Sequence, residues 1–240
     1  MYNRRGTSRP RKHTGAAKPA RPHAPGATIT ALAPHPRDPM LVVVKSGRRT
    51  IGTIRGTDVQ SLRIDLGAPV TESLLAALDS AERAAEARKY AINAVSHRAM
   101  STRTLIGKLK RRDVDASTAS SIADDLTAKG ILDDAAYAET VARGELARKP
   151  AAKSFLIAKL RSRGVDDKTA RAAADHAVSD PTYNAREQAL TLARKKAKSL
   201  ARLTPRDPLA AKRRLYAQLA RRGFDPETCA WATKQALAKS

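Results

Sequence analysis

Residues 159–170 read KLRSRGVDDKTA, and the chain comes close to this wording twice more, as KLKRRDVDASTA at 108–119 and QLARRGFDPETC at 218–229. When the three copies are aligned, Leu105, Leu156 and Leu215 coincide, then Ile106, Ile157 and Tyr216, then Leu109, Leu160 and Leu219. The spacing i, i+1, i+4 draws one apolar stripe along a helix. Asp113, Gly164 and Gly223 follow, where the helix must stop, because glycine enters the left-handed region freely and aspartate tolerates it better than most residues. Val114, Val165 and Phe224 come next as apolar plugs, and Asp115, Asp166 and Asp225 then stand where an N-cap belongs. Pro226, directly after Asp225, is the preferred first helical residue. Ala119, Ala170 and Cys229 share one small position on the second helix, so Cys229 reads as a core residue and not a nucleophile.

Each copy is therefore helix, tight turn, helix. A longer helical segment precedes each one, at 81–99, 134–148 and 182–203, which makes the unit three helices occurring three times. The expected fold class is mainly α: an elongated tandem array of three three-helix repeats at 81–130, 131–180 and 181–240, each mainly touching its neighbours. The junction GILDDAAYAETVAR, residues 130–143, offers Asp133 and Asp134 either as a helix cap or as a metal or acid/base pair. Capping is favoured, because adjacent residues at one helix end splay apart.

Upstream, residues 1–38 carry Arg and Lys with no acid before Asp38, and are punctuated by proline and glycine, so a disordered basic arm is expected. Residues 39–80 change character. Leu41–Val44, Thr50–Ile54 and the alternation of Leu62, Ile64 and Leu66 predict a small antiparallel β segment of three strands, followed by a short helix capped by Thr71.

The chain has 240 residues and a formal net charge of +23, from 46 Lys and Arg against 23 Asp and Glu, which draws it toward polyanions, chiefly nucleic acid. One cysteine permits no internal disulfide or Cys-based zinc site, and the five histidines lack metal-ligand spacing. No cofactor is implied. No apolar run is long enough to span a membrane, and the basic N-terminus lacks the apolar core of a secretory signal, so a cytoplasmic, monomeric protein is expected. No phosphate-cradling glycine loop, nucleophile elbow or metal cluster supports an enzyme.

The order of these motifs resembles one family. Tandem helix ends of the form L-x-x-[RK]-[GD]-[VF], the junction from Gly130 through Ala138 and the closing Arg222-Gly223-Phe224 are similar to RecX, the bacterial regulator of the RecA recombinase, over roughly residues 85–240. The first copy departs by holding Asp113 where the later two hold glycine, and residues 147–156 depart from the family's glycine-containing link. The resemblance implies a non-enzymatic modulator. It would bind the RecA–DNA filament in its helical groove and inhibit recombination, ATP hydrolysis and coprotease activity in DNA repair and the SOS response.

The residues themselves point to a basic stripe. Its candidate members are Lys108, Lys110, Arg111 and Arg112 on the first middle helix, Lys153, Lys159, Arg161 and Arg163 on the second, and Lys212, Arg213, Arg214, Arg221 and Arg222 on the third. A further cluster, Arg194, Lys195, Lys196, Lys198 and Arg202, lies on the last long helix. Recurrence in each repeat suits phosphate contacts to single- and double-stranded DNA or an acidic filament groove, whereas a solvated helix face is the plainer account of any one arginine. Arg163 and Arg222 also sit near helix C-termini, which favour a cation. A sequence-specific helix-turn-helix reader is disfavoured, because the second helices are Ala-rich and poor in the residues that read base edges. A sequence-nonspecific DNA- or RNA-binding protein with no RecA partner is the alternative. At 3% aromatic content a stacking platform is not expected; Phe155 and Trp231 read as packing between units more readily than as partner anchors.

Overall fold

The computed structural model describes residues 26–203 and 207–238, without the side chains of 201–203. The described residues are mainly helical with a small three-stranded antiparallel sheet near the N-terminus, the expected class. They form two compact bodies. One holds the sheet, the helix after it as far as Ser96, and residues 106–124; the other holds 97–105 and the described residues from 125 onward.

The sheet runs β1 (Ala31–His35), β2 (Asp38–Ser46), β3 (Arg49–Arg55) in that order, with Leu32 opposite Val44 and Val44 opposite Gly52. Two expectations fail here. The predicted basic arm does not extend to residue 38: residues 1–25 lie outside the described residues, but Ile29 is buried and Ala31–His35 is a strand. The prolines that read as disorder are compatible with an edge strand, where half the N–H groups face no partner. Nor do residues 62–66 form the third strand. They end a short helix, α1 (Gly56–Ser61), held at its start by the Arg55 N–H bonded to the Asp58 carboxylate. Arg63 turns left-handed at φ 49, Ile64 is buried and Leu66 is 65% exposed, so the alternation there marks a helix exit.

The helix expected to be short is instead the first part of one long helix, α2 (Glu72–His97), with Thr71 accepting the Leu74 N–H. Leu78 of α2 closes a core with Ile29, Val44, Ile51, Ile54, Ile64 and Val70. Helices α3 (Thr102–Lys110) and α4 (Ala116–Ala128) follow, then α5 (Asp134–Arg148), α6 (Lys153–Ser162) and α7 (Asp167–Val178), then α8 (Ala185–Leu203), α9 (Pro208–Ala220) and α10 (Pro226–Leu237). Each of the last two triplets has its own core. Leu156, Leu160, Val165 and Ala170 pack with Ala138 and Ala142, and Leu215, Leu219, Phe224 and Cys229 pack with Ala189, Leu192 and Ala193. Cys229 is buried, its thiol bonded to the Phe224 carbonyl and pushed up by burial, as suits a core residue.

Successive repeats dock by one device. The turn ending α6 presses against the start of α3: the Arg163 carbonyl accepts from the Ser101 hydroxyl at 2.7 Å and the Thr104 hydroxyl at 3.0 Å. The turn ending α9 presses against the start of α6: the Arg222 carbonyl accepts from the Ala152 N–H at 3.0 Å and the Gly223 carbonyl from the Ser154 hydroxyl at 2.6 Å. Gly164 and Gly223 both sit at positive φ, 83 and 79. A Cβ on Gly164 would stand 2.7 Å from the Ser101 hydroxyl, and one on Gly223 2.6 Å from the Phe155 nitrogen. Glycine is required twice over, for its backbone and for the approach. Asp113 takes the same left-handed turn, at φ 61, with an exposed side chain.

Asp133 caps α5 through the Ala136 N–H, and Asp134 instead caps α3, accepting the Thr102 N–H at 2.8 Å and its hydroxyl at 3.1 Å. The two carboxylates thus serve different helices, and no His/Cys/Asp/Glu group among the described residues could hold a metal ion.

Replacing Gly164 or Gly223 by alanine should destabilise the protein by about 2 kcal/mol or more in urea unfolding, whereas Asp113→Gly should be neutral or stabilise it by up to about 1 kcal/mol. The N-cap carboxylates also impose a pH dependence. Asp115 is held below the usual range by the hydroxyl of Ser117 and then by Thr118, Asp166 by the hydroxyl and N–H of Thr169, and Asp225 by the N–H and hydroxyl of Thr228. A folded value below the unfolded one, about 3.9, means that this stabilisation is present above that pH and is lost as pH falls below it. Urea midpoints should therefore stay level from neutral pH to about 5 and drop below about 4, less steeply for the double variant Asp166→Asn, Asp225→Asn.

Candidate functional site

The aligned arginines that precede each turn are the first test of the predicted stripe. Arg222 is half-buried. Its Nε donates to the Pro150 carbonyl at 2.8 Å, its Nη2 to the Lys149 carbonyl at 2.7 Å, and its guanidinium carbon lies 3.8 Å from the centre of the Phe155 ring. Burial draws its pKa down, and Glu145 partly offsets this. Arg163 reaches Glu145 at 3.5 Å, and Arg112 stacks 4.1 Å over Tyr90. All three are occupied within the fold, so their recurrence reflects architecture at least as much as binding. Phe155 is the shelf on which the next repeat's arginine lies, which agrees with the packing account of that residue. Trp231 packs against the third core, with Arg186 5.8 Å from its ring centre.

Other members of the second repeat are matched by acids. Arg161 pairs with Asp167, which also accepts from Arg171 Nε at 2.9 Å, and Lys153 pairs with Asp175. Lys159 is half-buried. Residues 131–180 hold nine Lys and Arg against eight Asp and Glu, while residues 181–240 hold fourteen against four. The clusters expected to recur as a stripe therefore differ in net charge from repeat to repeat, and the excess is greatest in the third. In α8, Arg194, Lys195 and Lys198 are exposed and Lys196 is half-buried; the side chain of Arg202 lies outside the described residues. In α9, Lys212, Arg213 and Arg214 are exposed, as is Arg221 at its C-terminal end, and none of these four has an ion pair among the described residues. In the other body, Lys110 and Arg111 are exposed and Lys108 is half-buried.

The third repeat gathers its cations around a residue that the sequence reading passed over. Lys149 is the C-cap of α5, in the link to α6. Burial, and then Lys196, Arg222, Lys195 and Arg221, push its ammonium below the ordinary lysine range. Lys149 is exposed, and four cations, from α8 and the end of α9, act on it, with Arg222 also bonded to its carbonyl. Only the RKP wording of residues 148–150 hinted at it, and it fell in the link between two helices of the second repeat, where no helical periodicity could assign it a face. Like charges held together raise the free energy of the unliganded protein, and an anion seated among them relieves it.

A family model described as RecX, third three-helix domain, matches residues 184–232, the span of α8 through most of α10. The regulatory protein RecX of Corynebacterium efficiens is 32% identical over 148 residues, covering 61% of this chain and 69% of that one. The chain belongs to the RecX family. RecX of Mycobacterium leprae is 31% identical over 150 residues, with 61% of this chain and 83% of that one covered. A crystal structure of a regulatory protein RecX superposes with a TM-score of 0.70 at 17% identity, over 88% of this chain and 99% of that one. RecX from Lactobacillus salivarius superposes at 0.52 and 20% identity, over 66% of this chain. These are regulatory proteins by name, and the two structures share the fold. No described helix is long and apolar enough to cross a membrane.

Within this chain the structure separates Arg222 from its neighbour. Arg222→Ala should cost about 2 to 4 kcal/mol in denaturant unfolding, from two charged hydrogen bonds and a ring contact, while Arg221→Ala should stay within about 0.5 kcal/mol of the parent.

Proposed function

We propose that this chain binds the RecA–DNA filament and inhibits RecA-dependent recombination, ATP hydrolysis and coprotease activity, with its third repeat as the polyanion-binding end. The observation that carries the reading is the set of Lys195, Lys196, Arg221 and Arg222 acting on Lys149, whose carbonyl Arg222 holds, in a member of the RecX family. Phosphate contacts of this kind release counterions, so binding driven by them falls steeply with salt. The docked glycine turns supply the rigidity that a multi-point contact needs, because a surface fixed in advance loses little freedom on binding.

The test is RecA-catalysed ATP hydrolysis on single-stranded DNA with this protein added in stoichiometric amounts. A fall in rate is expected, and the triple variant Lys195→Glu, Lys196→Glu, Arg221→Glu should need about tenfold more protein for the same fall. An unchanged rate with the parent protein would refute the reading; an unchanged potency for the variant would remove this surface from it. The net charge of +23 favours one second reading, a nucleic-acid-binding protein that needs no RecA. In that case the triple variant would lose affinity for bare DNA while the parent left RecA's ATP hydrolysis untouched.

A further inference from the structure

Tyr216 stands at the repeat position that Ile106 and Ile157 hold in the earlier copies. Both isoleucines are half-buried, and Ile157 packs against the second core. Tyr216 instead is 37% exposed, takes no part in the third core formed by its neighbours Leu215 and Leu219, and its hydroxyl has no hydrogen-bond partner among the described residues. An aromatic ring has replaced an aliphatic residue at a position that in this repeat faces outward.

Its surroundings on α9 are specific. Lys212 and Arg213 lie four and three residues before it, both exposed. A helical side chain leans back over the preceding turn, which brings the ring toward those two cations. Residues one and four positions later are Ala217 and Ala220, both exposed and too small to cover the ring. Leu209, 55% exposed and seven residues earlier, continues the same face.

We infer that Tyr216 is a stacking site for one base of a single-stranded nucleic acid, with Lys212 and Arg213 neutralising the adjoining phosphates. The chemistry discriminates among polyanions. A single strand presents an unpaired π face one sugar away from each phosphate; a duplex keeps its faces inside the stack; an acidic peptide offers charge without a flat ring. With so few aromatics the contact is one base deep, so it sets a preference for single strands while charge sets the bulk of the affinity. The inference rests on the proposal that the chain binds nucleic acid and adds to it the form of nucleic acid preferred.

The experiment compares binding of fluorescent oligothymidine with binding of an abasic strand of equal length and phosphate count, at one salt concentration, for the full chain and its Tyr216→Ala and Tyr216→Phe variants. Tyr216→Ala should weaken oligothymidine binding roughly 5- to 100-fold, leave the abasic strand within about twofold, and melt at the parent's temperature; Tyr216→Phe should bind both strands as the parent does. Equal effects of Tyr216→Ala on the two strands, or none on either, would overturn the stacking site while leaving charge-driven binding in place. Loss of the effect on RecA without loss of oligothymidine binding would assign the ring to a protein partner and overturn it too. A parent protein that binds neither strand would end both this inference and the nucleic-acid reading beneath it.

Discussion

Two helix ends with complementary deficits meet wherever one repeat joins the next, and the later repeats are organised around that meeting. A helix start has N–H groups with no partner inside the helix, and a helix end has carbonyl groups with none. In this chain the carbonyls of Arg163, Arg222 and Gly223 face the starts of α3 and α6, where Ser101, Thr104, Ala152 and Ser154 supply the donors. The contact demands close approach, and close approach demands a residue with no Cβ at the turn. One local requirement thus accounts for the glycines, for the hydroxyls placed about sixty residues earlier, and for residues 97–105 belonging with the second body although they lie among residues of the first. Asp113, at the same left-handed turn in the first copy, has an exposed side chain, so the side chain that the later turns could not accept is tolerated there.

The same meeting sorts the cations. An arginine that ends a docked helix is used within the fold: Arg222 on two carbonyls and a phenylalanine ring of the preceding repeat, Arg163 on Glu145 of its own repeat. Cations one or two residues away are placed differently. Arg221 is exposed beside Arg222, and Arg161 is bound to Asp167 two residues before Arg163. The second repeat is nearly neutral and carries its acids where its bases need them, whereas the third is strongly basic and leaves Lys212, Arg213, Arg214 and Arg221 unmatched among the described residues. Divergence of one repeat in charge, with its hydrophobic pattern kept, is how a duplicated scaffold acquires a distinct surface.

Much of the fold was legible because helices are local. The apolar stripe at i, i+1, i+4, the left-handed stop and the aspartate cap predicted α5 at its observed bounds and the second helices starting after Asp115, Asp166 and Asp225. The β segment was legible only in part. The pairing of Ala31–His35 with β2 depends on residues that look like a tail until a partner strand is beside them, and the false strand at 62–66 has the right alternation with no strand to pair against. Periodicity reports which side of an element is apolar and not what lies across from it.

By itself the sequence determined the repeat, its three helices, the stops and caps between them, the buried state of Cys229 and the sign of the charge. These are set by residues within a few positions of one another, where backbone preference and side-chain hydrogen bonding act directly. Only tertiary structure decided which arginines are anchors, that Lys149 joins the cations of α8 and α9, and that Tyr216 is exposed where its counterparts are half-buried. Each of those depends on what a distant part of the chain places against the residue, and burial, neutralisation and exposure are properties of the pair and not of either residue alone.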